Sequence, residues 1–246
     1  MNKHWLTPNW PAPVNIHAAT LMRTGGQRSG VYASLNPALH VGDDADKVKQ
    51  NRELIKHWLN LPDEPVWLDQ IHSNRAVKAV KSSNLMQADA SFTAEPGVVC
   101  AVLTADCLPL LVCTADGLQI AAIHAGWRGL LAGVIGNTIK FFDDFYAKKD
   151  FLIWLGPAIG PNCFEVGSDV REAFLNKSDA FKPAFKQQSP DKWLADIYQL
   201  ARIDLSMLDM FQVYGGEFCT VSDPERFYSF RRDKQTGRMA TLIWRE

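Results

Sequence analysis

Short apolar runs separated by turn residues alternate along this chain with stretches of helical spacing. "VNIHAATLM" (14–22) reads as a strand, and "TGGQRSG" (24–30) after it as a glycine-rich loop. In "DADKVKQNRELIKHWLNL" (44–61) the apolar positions Val48, Leu54, Ile55, Trp58 and Leu59 fall on one helical face behind an acidic first turn. "EPVWLDQIH" and "AVKAV" read as strands around a turn at Ser73-Asn74. "VVCAVLT", "LPLLVCTA" and "LQIAAIHA" are three short apolar strands, the last two joined by Asp116-Gly117, a strong hairpin signal. The spacing predicts one helix over 129–145, a buried strand at "FLIWLGP" (151–157), and helices over 169–176 and 193–210. "FYSFRRD" (227–233) and "ATLIW" (240–244) read as closing strands, and 81–97 and 176–192 as surface excursions. Antiparallel neighbours mixed with helices suggest an α+β or layered α/β fold. With no repeat or linker, residues 1–246 read as a single domain.

The hairpin has a consequence for chemistry. If Asp116-Gly117 is a two-residue turn, Ala115 faces Leu118, and counting back along both strands Pro109 faces His124. Cys107 has the parity of Pro109 and so shares a face with His124. Proline cannot donate to the ladder, so the strand begins there, with Cys107 in the loop that enters it. His72, at the end of "WLDQIH", is a third candidate at a strand end. One Cys and two His would bind zinc and leave a fourth position open, the catalytic rather than the structural pattern. A turn histidine, a core histidine and a buried thiol account for the same three positions equally well.

Composition narrows the partners. The chain is 47% hydrophobic and 22% charged with a formal net charge of -1, which argues against a general nucleic-acid binder. No apolar run is long enough to cross a bilayer and the first residues lack a signal-peptide pattern, so no membrane association is expected. Five cysteines with no C-x-x-C pair suit reduced thiols in the cytoplasm.

Taken together, "HAGWRG" (124–129), "TADCLP" (104–109), "QIHSN" (70–74) and "GPAIGPNCFEVG" (156–167) resemble the YfiH-like, or polyphenol oxidase/laccase-domain, purine nucleoside phosphorylase family. "RTGG" (23–26), the "SLN" ending in Asn36, "HVGDD" (40–44), "NR" (51–52), "FYSFRRD" and "TGRMA" extend the likeness over nearly the whole chain. The resemblance implies an α-β-β-α layered sandwich with mixed sheets, related to the catalytic domain of cytotoxic necrotizing factor toxins. It implies a zinc site at His72, Cys107 and His124, with copper as the alternative ion. It also implies phosphorolysis of adenosine, inosine, guanosine and methylthioadenosine, together with adenosine deamination. Two other activities are attached to the family: a peptidoglycan-editing hydrolysis that removes L-serine from a muramyl precursor, and copper-dependent polyphenol oxidation.

The residues rank these chemistries. Multicopper oxidation needs many imidazoles, usually as His-x-His pairs, whereas this chain has six His and no such pair. Deamination needs a proton-handling carboxylate beside the ion, for which Asp106 and Glu165 are the candidates; an Asx-turn accounts for Asp106 as well. Phosphorolysis needs an anion pocket, and Arg128 with a helix expected to start near Gly129 supplies one in principle. Asn36, Gly129 and Arg231 are further substrate or phosphate candidates; on a strand, only one of Arg231 and Arg232 would face the site. Cys107 with His124 would also form a nucleophile–base pair suited to the editing reaction. The reading that results is a zinc-dependent purine nucleoside phosphorylase and deaminase, with nucleosides and phosphate as its partners.

Overall fold

The computed structural model describes residues 4–81, 84–142 and 146–246. The chain runs through β1 (Trp5–Leu6), β2 (Ile16–Leu21), α1 (Ala45–Leu59), β3 (Leu68–Asp69), β4 (Ala76–Lys78), β5 (Met86–Gln87) and β6 (Ala90–Thr93). β7 (Val99–Thr104), β8 (Leu108–Thr114) and β9 (Ile120–Ala125) lead into α2 (Trp127–Leu131), α3 (Val134–Ile139) and β10 (Phe151–Leu155). β11 (Glu165–Gly167), α4 (Ser168–Lys177), β12 (Phe185–Ser189), β13 (Lys192–Ala195), α5 (Ile197–Met207), β14 (Val213–Gly215), α6 (Phe230–Asp233) and β15 (Met239–Arg245) follow.

Two sheets form the middle of the molecule, one of four strands in the order β1-β2-β15-β7 and one of six in the order β14-β10-β8-β9-β6-β4. Strand parity builds the layers. Cys100 and Val102 of β7 pack against Leu111, Cys113, Ile120 and Ala122 between the sheets. Val99, Ala101 and Leu103 point the other way, onto Ile55 of α1. Leu110, Val112, Ala121 and Ile123 face the helical layer of Ile135, Val170, Phe174 and Leu200. The expected α-β-β-α layering with mixed sheets is what the chain adopts. Helix α1 opens on Asp44, whose side chain accepts from the N–H groups of Asp46 and Lys47 and so caps the first turn. Among the described residues no helix is long and apolar enough to cross a membrane.

The hairpin register is as counted, with Pro109 opposite His124 and Leu108 opposite Ala125. Several local expectations are corrected. The helix expected over 129–145 is two short helices broken at Gly133, whose φ of 81° lies outside the helical region; residues 143–145 of that span lie outside the described residues. The strands flanking Ser73-Asn74 pair not with each other but in parallel with β5 and β6. Trp193 belongs to β13, and α5, capped by Asp196, begins at Ile197, four residues later than the apolar spacing suggests. "FYSFRRD" ends in a helical turn, with Ser229 accepting from the N–H of Arg232. Among the described residues the supposed excursions are structured, with Ala88, Ala90 and Phe181 fully buried; residues 82–83 of the first lie outside the described residues.

Candidate metal centre

Parity puts His124 on the inter-sheet face of β9, at the end where the layer opens, and Cys107 joins it from the loop entering β8. His72 arrives from the segment between β3 and β4, with a left-handed φ of 60°. The ligand atoms of these three residues lie within 4.8 Å of one another. Cys107 Sγ is 3.8 Å from His72 Nε2, and the two imidazoles meet edge to face at 4.9 Å. Tetrahedral zinc with ordinary Zn–S and Zn–N bonds sets its ligand atoms about 3.5 Å apart, so the donor set and its spacing fit the ion.

Two supports hold the cluster. Asp89 Oδ1 lies 2.8 Å from His124 Nδ1, which fixes the proton there and leaves Nε2 for Cys107 or an ion. The same carboxylate accepts the backbone N–H of His72 at 3.0 Å and the Ser73 hydroxyl at 2.7 Å. Gly126 supplies the space: a Cβ there would sit 3.0 Å from Cys107 Sγ and 3.2 Å from His72 Cδ2. Burial pushes the Cys107 thiol up, but the charge of His124 and hydrogen bonds from both imidazoles bring it down to about 6. His124 is raised in turn, because the Cys107 thiolate and Asp89 outweigh its burial.

The cluster opens onto a cavity of about 440 Å³, within the range of small-molecule sites. Its walls carry Arg128, Arg231, Lys234 and Arg238, and Asp106 is its one acidic residue among the described residues. Each guanidinium lies over an aromatic ring of the same wall: Arg128 over Trp127 at 4.4 Å, Arg231 over Phe164 at 5.6 Å, Arg238 over Phe230 at 5.9 Å. Arg231 Nη1 also donates to the Cys163 carbonyl and Arg238 Nη1 to those of Thr236 and Gly237, so ring faces and carbonyls hold these charges at the wall. His40 also lines it, with its pKa lowered by burial and by the charge of Arg238.

The pocket thus unites His72, Cys107, His124, Asp106, Arg128 and Arg231. Asp106 is committed within the fold: Oδ1 accepts the Thr220 hydroxyl and Oδ2 the N–H of Arg231, each at 2.6 Å. Gly129 is the third residue of a helix that begins at Trp127, not its start, and a Cβ there would sit 3.1 Å from the carbonyl oxygen of Ser73. Its role is close packing. Glu165 is not in the pocket; exposed on β11, it pairs with Lys192 at 3.2 Å. Nor does Asn36 line it. Fully buried, its amide nitrogen donates to Ala38 and Asp43, and its oxygen accepts from the N–H groups of Ala38 and Arg238. Every polar valence of Asn36 is used, and it reaches the site only by holding the Arg238 backbone.

Sequence reasoning missed Asp89, His40 and Arg238. Asp89 falls in a stretch read as a loop excursion, while His40 and Arg238 stand inside quoted motifs without a role. No local spacing ties them to the hairpin.

Residues 17–246 match the family model described as multi-copper polyphenol oxidoreductase laccase. The purine nucleoside phosphorylase YfiH of Escherichia coli K12 is 48% identical over 240 residues, covering 97% of this chain and 98% of its own. The purine nucleoside phosphorylase PA4543 of Pseudomonas aeruginosa is 47% identical over 98% of both chains. Among solved structures, protein NMB0706 of Neisseria meningitidis superposes with a TM-score of 0.94 at 43% identity, over 99% of this chain and 100% of its own. YlmD from Geobacillus stearothermophilus superposes with a TM-score of 0.92 at 29% identity, over 100% of this chain and 97% of that one. With likeness of this extent in sequence and in fold, the chain belongs to the family described as multi-copper polyphenol oxidoreductase laccase.

Proposed function

We propose that the chain is a metal-dependent purine nucleoside phosphorylase, with zinc as the ion held by His72, Cys107 and His124. One observation carries the reading: a small cavity beside the three-ligand cluster is walled by four cationic side chains and a single, already committed carboxylate. Such a wall suits an anion, and the nucleoside phosphorylase names of the relatives make inorganic phosphate the natural choice. When bound, the ion supplies a localised positive charge and Lewis acidity at the cavity edge.

The chain's own groups then divide the work. Arg128, Arg231 and Arg238 orient phosphate and neutralise its charge. The aromatic faces of Phe164, Trp127 and Phe230 offer stacking surfaces to a purine. A phosphate oxygen bonds to C1′ of the ribose as the bond from C1′ to purine N9 breaks. The electron pair of that bond leaves with the base, which takes a proton, and the products are the free purine and ribose 1-phosphate. His40 lines the same cavity, its pKa lowered by burial and the charge of Arg238, and is the imidazole outside the metal cluster to which we assign proton relay for the base.

Adenosine deamination is the weaker reading. It calls for a carboxylate beside the ion to shuttle protons, and neither candidate is free to do so. Asp106 is bonded through both oxygens, and Glu165 lies outside the cavity. The Cys107–His124 pair keeps the editing hydrolysis as a third outcome. A product assay separates the three. Zinc-loaded protein is incubated with inosine, with and without phosphate, and ribose 1-phosphate and hypoxanthine are measured. Both products appearing only with phosphate is the expected result; no turnover of inosine or adenosine at any metal loading overturns the proposal. Release of L-serine from UDP-muramyl-serine would replace it with the editing reaction.

A further inference from the structure

A second pair of thiols lies behind the cavity wall. Cys163 belongs to the loop between β10 and β11, Cys219 to the segment between β14 and α6, and both are half-buried. Ser222 stands between them. Its hydroxyl donates to Cys219 Sγ at 3.3 Å and lies 3.5 Å from Cys163 Sγ, so the Cys163 thiol is placed to donate to the serine oxygen. The backbone N–H of Gly160 also donates to Cys219 Sγ, at 3.2 Å. This approach requires glycine, because a Cβ at 160 would sit 2.9 Å from Cys219 Cβ.

The two sulfurs are therefore unequal. Cys219 receives two hydrogen bonds that favour its thiolate, and Cys163 sits at the donating end of the same chain of bonds. Burial raises the Cys219 thiol, yet the bonds from Ser222 and Gly160 bring it below its ordinary value. A Ser222 hydroxyl turned toward Cys163 would pull that thiol down, but with burial and the neighbouring Cys219 sulfur it stays raised. A sulfur whose hydrogen bonds favour its thiolate, beside one placed to donate, is the arrangement of an attacking and a resolving cysteine.

We propose that Cys219 and Cys163 form a peroxide-responsive thiol pair that closes to a disulfide. The Cys219 sulfur attacks one oxygen of a hydroperoxide, the O–O bond breaks, and the departing oxygen takes a proton and leaves as water or alcohol. Cys219 is then a sulfenic acid. The Cys163 sulfur attacks it, the S–O bond breaks, and the second oxygen leaves as water with the proton that Cys163 gives up through Ser222. Two thiols lose two electrons, and the peroxide gains them. The pair adjoins the pocket wall: the Cys163 carbonyl accepts from Arg231 Nη1 at 3.3 Å, and Thr220, next to Cys219, holds Asp106.

The test uses the full-length, metal-loaded protein, hydrogen peroxide and peptide mapping, and needs no enzyme assay. A peptide joining residues 163 and 219, a mass loss of about 2 Da and reversal by dithiothreitol are expected. Cys219→Ser leaves Cys163 reduced, whereas Cys163→Ser stops at a sulfenic acid that dimedone traps on Cys219. Ser222→Ala slows closure about tenfold, the effect of one lost bond to a charged sulfur. Retention of both thiols while another cysteine oxidises overturns the proposal, and so does oxidation of Cys163 at an unchanged rate in Cys219→Ser. Because the wild-type mapping stands alone, a misfolded variant does not decide the matter.

Discussion

Cys107, in the loop just before β8, and Cys113, near the far end of that strand, share a parity, so both sulfurs face the layer between the sheets. Cys113 is sealed among Ile120, Leu152 and Trp154, and burial pushes its thiol up to about 12. Cys107 is held at the mouth of that layer by two imidazoles, and its thiol is brought down to about 6. Residue type and face are shared. What differs is the partner at the open end, where the sheet stops supplying apolar neighbours and histidines take their place.

Reactivity gives the sharpest way to break this contrast. In metal-free protein iodoacetamide should label Cys107 at least about 1000-fold faster than Cys113 near neutral pH. Labelling of Cys107 should slow as pH falls through about 6, where the thiol takes up its proton. Comparable labelling of both would mean that the imidazoles do not control the Cys107 sulfur. Next in size, Cys107→Ser should weaken zinc binding more than about 100-fold, beyond what losing a supporting partner costs, while Cys113→Ser leaves it unchanged. Metal retained after dialysis against a competing chelator reads this. Asp89→Asn keeps all three ligands but removes the charge that fixes His124, and should cost about 10- to 100-fold in metal affinity. Gly126→Ala intrudes on Cys107 and His72 and should cost about tenfold, since a misfit of roughly 1–2 kcal/mol falls on the cluster. At the sealed end, Cys113→Ser buries a hydroxyl in an apolar layer and should lower unfolding stability by about 1–3 kcal/mol in urea titration.

The sequence carried the hairpin fully, because period-two alternation and an Asp-Gly turn leave one register that buries both strands. It carried α1 for the same kind of reason, an apolar face behind an acidic cap. It failed where a local residue overrode a longer pattern. Gly133 ends α2 although the apolar spacing runs on, and Asp196 delays α5 while Trp193 pairs in a strand. At the site, Cys107 and His124 were legible from one hairpin. His72 needed the family resemblance, and Asp89 needed the fold. Its carboxylate lies at the start of β6, beside β9 in space and 35 residues from His124 in sequence. Asn36 and Glu165 show the opposite case: each is a polar motif residue with site potential, and the fold places both outside the pocket lining, on scaffold bonds of their own.

Gln70, two residues before His72, forms a double clamp on β7: its amide nitrogen donates to the Leu103 carbonyl at 2.8 Å and its oxygen accepts the Leu103 N–H at 2.7 Å. Asp89 ties the same ligand-bearing segment to the other sheet. The His72 segment is therefore a latch between the two halves of the sandwich. Sliding one sheet past the other, or melting either, would pull His72 away from its companions. An ion held by the three residues would then act as a rivet against shear in the middle layer, and its release would report cooperative unfolding.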